Sequence, residues 1–344
     1  MTRSATAKQT TRTARLALYS VLGAVAVYLP TDAIASNETK AVYVTVDVPG
    51  ASSTAVAGVN AHGYATGYYQ DDVGAFVHGF VRTADGVITL FDIPGSSKTQ
   101  PVSVNSSGMV AGYYATGNTG AGFIRSSHGD IVTFFVPSAT NTFPQGINAD
   151  GEITGYYQDS SNELHGFVRG TDGTIKTFDP VGSAGPAGTY PSSINEKGQI
   201  VGFYFGGNEN HGFIREANGQ ISTIDVPGAI LTRADEINDQ GAIVGLYYTS
   251  SYHGFLRTSD GTITTFDAPH ATYTFVTGIN SKGQIAGSYQ DGQEYGYLRT
   301  PQGSFREFSP PNAQTTLVLG IAGKYIAGAY SDPQFQTHGF IRKQ

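Results

Sequence analysis

Apolar and polar residues alternate along most of this chain in short runs, rich in Val, Ile, Tyr, Phe and Thr and punctuated by Gly, Asn and Asp. Runs of this composition, four to seven residues long between such breakers, predict β-strands, and no window beyond the N-terminal region shows the 3.6-residue period of a helix. The stretch HGFVRTADGVITLFD, residues 78–92, shows the pattern in miniature. Two strand-like runs flank an Asp-Gly turn, with a histidine at one end and an aspartate near the other.

Close variants of that stretch return along the chain. GVN at residue 58 recurs as SVN at 103, GIN at 146, SIN at 193, EIN at 236 and GIN at 278, with a degenerate GIA at 320. The spacings are 45, 43, 47, 43, 42 and 42 residues. Every unit keeps one order: an apolar run ending in I-N, a turn closed by Gly, then G-Y-Y, H-G-F-x-R, D-G and T-F-D-x-P-G. Four short strands in about 43 residues is the period of propeller blades rather than helical solenoids. Six units are complete, and the seventh stops after its third strand, HGFIR at 338–342. A matching fourth strand, YVTVDVPG at 43–50, stands at the other end. Pairing the two would remove an unpaired edge. The expectation is an all-β, seven-bladed β-propeller over residues 43–344, closed by the N-terminal strand completing the last blade.

The recurring G-I-N…G-x-I-x-G-Y-Y…H-G-F-x-R unit resembles the extracellular repeat proteins called the HAF-repeat family, after their His-Ala/Gly-Phe motif. The resemblance runs from residue 43 to 342. It implies an exported bacterial protein of repeated β structure. It supplies no catalytic residues, and WD and kelch signatures are absent.

Residues 1–35 read as a signal peptide: Arg3, Lys8, Arg12 and Arg15, then LALYSVLGAVAVYLP, then Ala33-Ile34-Ala35. Residues 36–42 form a short N-terminal segment. Cleavage takes four of 20 basic and one of 27 acidic residues, leaving 16 and 26, a net charge of −10. That balance, with no basic block, argues against nucleic acid. The chain has no cysteine, which removes thiol nucleophiles and Cys-ligated metals. A secreted or periplasmic monomer is expected, with no membrane span after cleavage.

The repeats form an internal alignment. Three positions never change: the Tyr ending the second strand (Tyr69 to Tyr330), the Arg ending the third (Arg82 to Arg342) and the Thr opening the first (Thr54 to Thr316). A residue needed once per blade most simply holds that blade. Histidine and aspartate vary together: His78 with Asp92, His165 with Asp179, His211 with Asp225, and His253 with Asp267. Where Ala121 and Tyr295 replace His, Phe135 and Ser309 replace Asp; His338 finds Asp47 on the closing strand. Such co-variation indicates contact within a blade, read here as buried structural pairing. A catalytic triad is needed once, not five times. Histidines on neighbouring blades lie at least about 10 Å apart, too far to share a zinc whose ligands sit about 2 Å from it. No metal and no cofactor is expected.

The loops between second and third strands vary most, so the face carrying them is the expected binding face. There the residues after the invariant Thr include Phe143, Tyr190, Arg233 and Phe275 on four consecutive blades, with Asp235 and Glu236 nearby on the fifth. Planar groups beside a concave mouth suit stacking on a sugar or a partner side chain. Alternation places Asp235 beside Arg233 and turns Glu236 away. The expected function is a non-catalytic binding platform for a glycan or an extracellular protein. The alternative is a glycan hydrolase or lyase using Asp235 or Glu236 with Arg233 and a loop acid, Asp71 or Asp72.

Overall fold

The computed structural model describes residues 41–71, 76–183, 188–207 and 209–344, and these contain 28 β-strands and no helix. The signal-peptide reading of residues 1–35 and the loop acid Asp72 lie outside the described residues.

Antiparallel pairing gathers the strands in fours along the chain. The first group is Ala51–Val59, Ala65–Asp71, Val77–Arg82 and Ile88–Phe91. The last is Thr315–Ala322, Tyr325–Ser331 and Thr337–Lys343, with Val42–Val46 as its fourth strand. In that pairing Val44 faces Ile341 and Tyr43 faces Arg342, so the N-terminal strand covers the edge of the C-terminal one. The turn signals read from sequence fall between strands, which is why the boundaries were legible.

At several boundaries a single parallel bridge joins a third strand to the next first strand, as in Val77 with Lys98, Gly120 with Asn141, Asn210 with Leu231 and Glu294 with Thr315. Thr337 of the last group makes the same bridge to Ser53 of the first. All seven first strands carry a β-bulge at one place, for example between Ala234 and Glu236.

The core is repetitive because the motif is. The Phe of H-G-F is fully buried in every group that has it: Phe80, Phe123, Phe167, Phe213, Phe255 and Phe340, with Tyr297 in the sixth. Burying one such ring is worth about 1.5–3 kcal/mol. The Gly of G-Y-Y makes room for it. A Cβ on Gly67 would sit 2.0 Å from the Ala55 carbonyl oxygen and 2.7 Å from Phe80. No larger residue fits there without moving backbone.

The three invariant positions have separate duties. Thr142 Oγ1 accepts the Val136 N–H at 3.1 Å, pinning the crossover into the first strand, and Thr99, Thr232 and Thr274 do the same. Arg125 donates to the Ser126 carbonyl and lies 5.1 Å over the Phe91 ring of the preceding group. Arg169, Arg215, Arg299 and Arg342 stack likewise on Phe134, Phe178, Phe266 and Phe308. Gly129 in the adjoining turn has φ +104°, and a Cβ there would meet Arg125 at 3.4 Å. Tyr69, Tyr157, Tyr247 and Tyr330 stack on the histidines His78, His165, His253 and His338 at 4.9–5.1 Å.

A further tie is the Asn of I-N. Its side-chain oxygen accepts two N–H groups of the following turn, and its amide donates to the next group. Asn105 Oδ1 accepts from Ser107 and Met109, while Asn105 Nδ2 reaches the Asn148 carbonyl at 2.9 Å. The relay runs Asn60, Asn105, Asn148, Asn195, Asn238, Asn280 and ends on the Gly323 carbonyl. Gly323 in turn packs on Ala61, to which an added Cβ would come within 3.1 Å.

Candidate functional site

Five His–Asp contacts occupy equivalent places at the start of the third strands. His78 Nδ1 lies 2.8 Å from Asp92, His165 2.7 Å from Asp179, His211 2.9 Å from Asp225, His253 2.9 Å from Asp267, and His338 3.0 Å from Asp47. All five are within a group. They are not buried, which corrects one part of the sequence reading: the histidine side chains are 23–25% exposed and the aspartates 36–48%. Water screens each pair, so each contributes about 0.5–1 kcal/mol rather than the larger value of a buried one.

The first strands carry the chemistry that differs from group to group. Phe143 pairs across the ladder with Tyr156, Tyr190 with Phe203, and Arg233 with Leu246. Side chains opposite each other share a face of the sheet. The rings therefore alternate between first and second strands of successive groups. Tyr113 meets Phe143 at 5.2 Å, Phe143 meets Tyr156 at 5.0 Å, and Tyr156 meets Tyr190 at 5.0 Å. Tyr190 then stacks on Phe203 at 4.8 Å, and the Arg233 guanidinium caps Phe203 at 4.6 Å. At the other end the Lys98 ammonium lies 4.9 Å from the Tyr113 ring. A cation closes each end of one continuous ladder.

Two expectations change here. Tyr190 is only 7% exposed, held between Tyr156 and Phe203, so its ring is mostly packing. Phe275 belongs to a second ring group, 5.5 Å from Tyr252 and 6.3 Å from Tyr273, rather than to the ladder. Phe143 and Arg233 keep part of their surface exposed.

Sequence reasoning missed half of the ladder. It treated the second Tyr of G-Y-Y as a uniform ring and passed over the residue before it. That residue reads Tyr68, Tyr113, Tyr156 and Phe203 in the first four groups, then Leu246, Ser288 and Ala329. The graded series was visible in the internal alignment. Burial pushes the Tyr113 hydroxyl up to about 12 and the Tyr156 and Tyr190 hydroxyls higher still, so all three remain neutral hydrogen-bond donors. Tyr113 uses its donor on Gln100, at 2.9 Å.

The ladder ends at two carboxylates. Arg233 Nη2 donates to Asp235 Oδ1 at 3.0 Å, with Asp235 13% exposed. Asp235 is the extra residue of the bulge, which keeps it on the same side as Arg233. Its other oxygen, Oδ2, is buried with no hydrogen-bond partner among the described residues, and so is Arg233 Nε. Burial raises the Asp235 pKa against the pull of Arg233 and of the Leu246 backbone N–H.

Glu236 points elsewhere. Its Oε1 accepts from Ser193 Oγ of the preceding group at 2.7 Å, and its side chain lies against Gly278 of the next. The equivalent residues are Gly58, Ser103, Gly146, Ser193, Gly278 and Gly320, all small. Burial pushes the Glu236 carboxyl up to about 7. The structure thus brings Phe143, Tyr190, Arg233 and Asp235 into one connected set, places Glu236 at its border, and leaves Phe275 outside it.

No protein-family model matches the sequence, and no curated protein matches it. Among solved structures the chain is similar to a catalytically inactive virginiamycin B lyase from Staphylococcus aureus with quinupristin, at 15% identity and a TM-score of 0.61, covering 88% of this chain and 99% of that one. It is also similar to the β-propeller domain of the Trilobed protease from Pyrococcus furiosus, at 11% identity and a TM-score of 0.62, covering 86% and 96%. A third likeness is puromycin hydrolase, at 11% identity and a TM-score of 0.60, covering 85% of this chain and 53% of that one. At these identities the likeness shows the fold alone, and the fold is that of the β-propellers.

Proposed function

We propose that this chain is an exported, non-catalytic binding platform whose ligand is a glycan, held at the ring ladder where it meets Arg233 and Asp235. The scaffold is a seven-bladed propeller, each four-stranded group a blade, closed by residues 42–46. Support for closure comes from the pairing of that strand with 339–343, the Thr337–Ser53 bridge and the packing of Gly323 on Ala61. Export rests on the signal-type residues 1–35 and on the resemblance to HAF-repeat proteins. No described helix is long and apolar enough to cross a membrane.

One observation carries the binding reading: an aromatic wall running directly into the Arg233–Asp235 pair, which keeps part of its surface exposed. A sugar offers both complements, C–H faces for the rings and hydroxyls for the Arg233–Asp235 pair. The half-exposed Phe143 and Arg233 are the surfaces a ligand would meet first. A glycan-array screen of residues 36–344 tests this. Binding to carbohydrate that falls at least tenfold in Asp235→Asn, with unchanged melting, supports it. An array with no carbohydrate bound, alongside capture of an extracellular protein through the variable loops, would replace it.

A second reading, hydrolase or lyase, is favoured by one feature. A carboxyl poised at about 7, as Glu236 is, can act as a general acid near neutral pH. A hydrolysis assay on every array hit decides between them. Turnover that disappears in Glu236→Gln would make the protein an enzyme.

A further inference from the structure

The loop between the second and third strands of the third group gathers three ligand-bearing side chains: Asp159, Glu163 and His165. One ligand atom of each lies within 4.8 Å of the other two, and all three are half-buried. His165 is oriented for this. Its Nδ1 is held by Asp179 Oδ2 at 2.7 Å, and Asp179 Oδ1 is itself held by Thr189 Oγ1 at 2.5 Å. With the proton on Nδ1, the lone pair of Nε2 faces Asp159 Oδ2 at 3.7 Å, beyond hydrogen-bond reach. Carboxylate–histidine–metal triads are built this way, the outer carboxylate fixing tautomer and ring. Tetrahedral ligands about 2.1 Å from a zinc ion stand about 3.4 Å apart, so a small contraction would seat one.

The chain contains its own control. Residues 332–338 repeat residues 159–165 in length and backbone. Asp332 Oδ1 accepts the N–H groups of Gln334 and Gln336, as Asp159 Oδ1 accepts those of Ser161 and Glu163. Phe335 has φ +60° where Asn162 has φ +65°. His338 keeps its outer carboxylate, Asp47. Its Nε2 rests 3.4 Å from Asp332 Oδ2, within hydrogen-bond reach. Only the third ligand differs: Gln336 stands where Glu163 does.

We propose that Asp159, Glu163 and His165 bind one divalent transition-metal ion of the zinc class, with Asp179 as the positioning residue behind His165. One imidazole and two carboxylates suit Zn²⁺ or Mn²⁺ better than Ca²⁺, which prefers six to eight oxygens. Three protein ligands leave a coordination position for water or a ligand atom. The site was passed over in sequence because histidines were compared only between groups. Its second and third ligands come from the same loop.

Zinc binding to residues 36–344, measured by isothermal titration and by metal analysis after equilibrium dialysis, tests it. Expected are one Zn²⁺ per chain, a loss of at least tenfold in affinity for Glu163→Gln, and weak binding of Ca²⁺. Gln336→Glu should recreate the set around His338 and bring the count to two, a result that holds whether or not Glu163→Gln folds. Wild type without bound zinc, Glu163→Gln binding as wild type does, or Gln336→Glu still holding one ion would each overturn the assignment.

Discussion

His211 and Arg233 belong to adjacent groups of one scaffold, and the repeat treats them in opposite ways. His211 finds Asp225 inside its own group, and the same pair recurs wherever the histidine does. Arg233 stands where other groups carry Ala55, Gln100, Phe143, Tyr190, Phe275 and Leu317, and its partners come from both sides of a group boundary: Phe203 before it, Asp235 within it. A residue whose partner is repeated with it is satisfied locally and serves the fold, unless its own loop adds groups the other copies lack, as Glu163 does beside His165. Where the residue changes from group to group, its partners are borrowed across a group boundary, as Arg233 borrows Phe203. Departures from the repeat are therefore the places to look for function.

The scaffold side of that contrast should break hardest. Deleting residues 41–48 bares the edge of strand Thr337–Lys343 and removes Val46 and Val48 from the core. Cooperative thermal unfolding should be lost, and a sharp transition near that of wild type would show the N-terminal strand to be dispensable.

Tyr190→Ala comes next, at about 3–5 kcal/mol in denaturant unfolding, because its ring is packed between two others. A loss below about 1 kcal/mol would mean the ladder is surface rather than core.

Glu236 gives a pH signature. Its folded pKa, about 7, is raised above the unfolded value of 4.5, so the native state holds a proton that the unfolded chain releases between those values. Stability from this group is complete below pH 4.5 and is lost as pH rises through 7, by about 1–3 kcal/mol. Glu236→Gln should flatten that fall and melt higher at pH 8. Identical pH profiles would place the carboxylate in water.

The smallest effect belongs to the repeated pairs. His78→Ala and Asp92→Ala should each cost about 0.5–1 kcal/mol, and the double variant clearly less than their sum. Additive losses would mean that the 2.8 Å contact is not made in solution.

What could be read from sequence follows the same division. The four-strand period, the Thr, Tyr and Arg positions and the His–Asp partners were legible, because seven copies of one motif act as an alignment and turn residues mark each boundary. Burial of the pairs was not, since co-variation reports contact and is silent on solvent. Phe143, Tyr190 and Arg233 were legible as variable first-strand positions. Their connection through Tyr113, Tyr156 and Phe203 was not, because cross-strand neighbours depend on register, and register depends on the bulges at Pro144–Gly146 and Pro191–Ser193. Phe275 was misplaced for a related reason: Leu246, facing Arg233, interrupts the ladder before Phe275 is reached.

The most direct measurement compares the two regions with one ligand. Titrating a carbohydrate found on the array into wild type, Asp235→Asn and His211→Ala separates them. Asp235→Asn should weaken binding at least tenfold at unchanged melting temperature, while His211→Ala melts slightly lower and binds as wild type does. Equal affinity of wild type and Asp235→Asn, or loss of binding in His211→Ala alone, would contradict the claim that function lies where the repeat is broken.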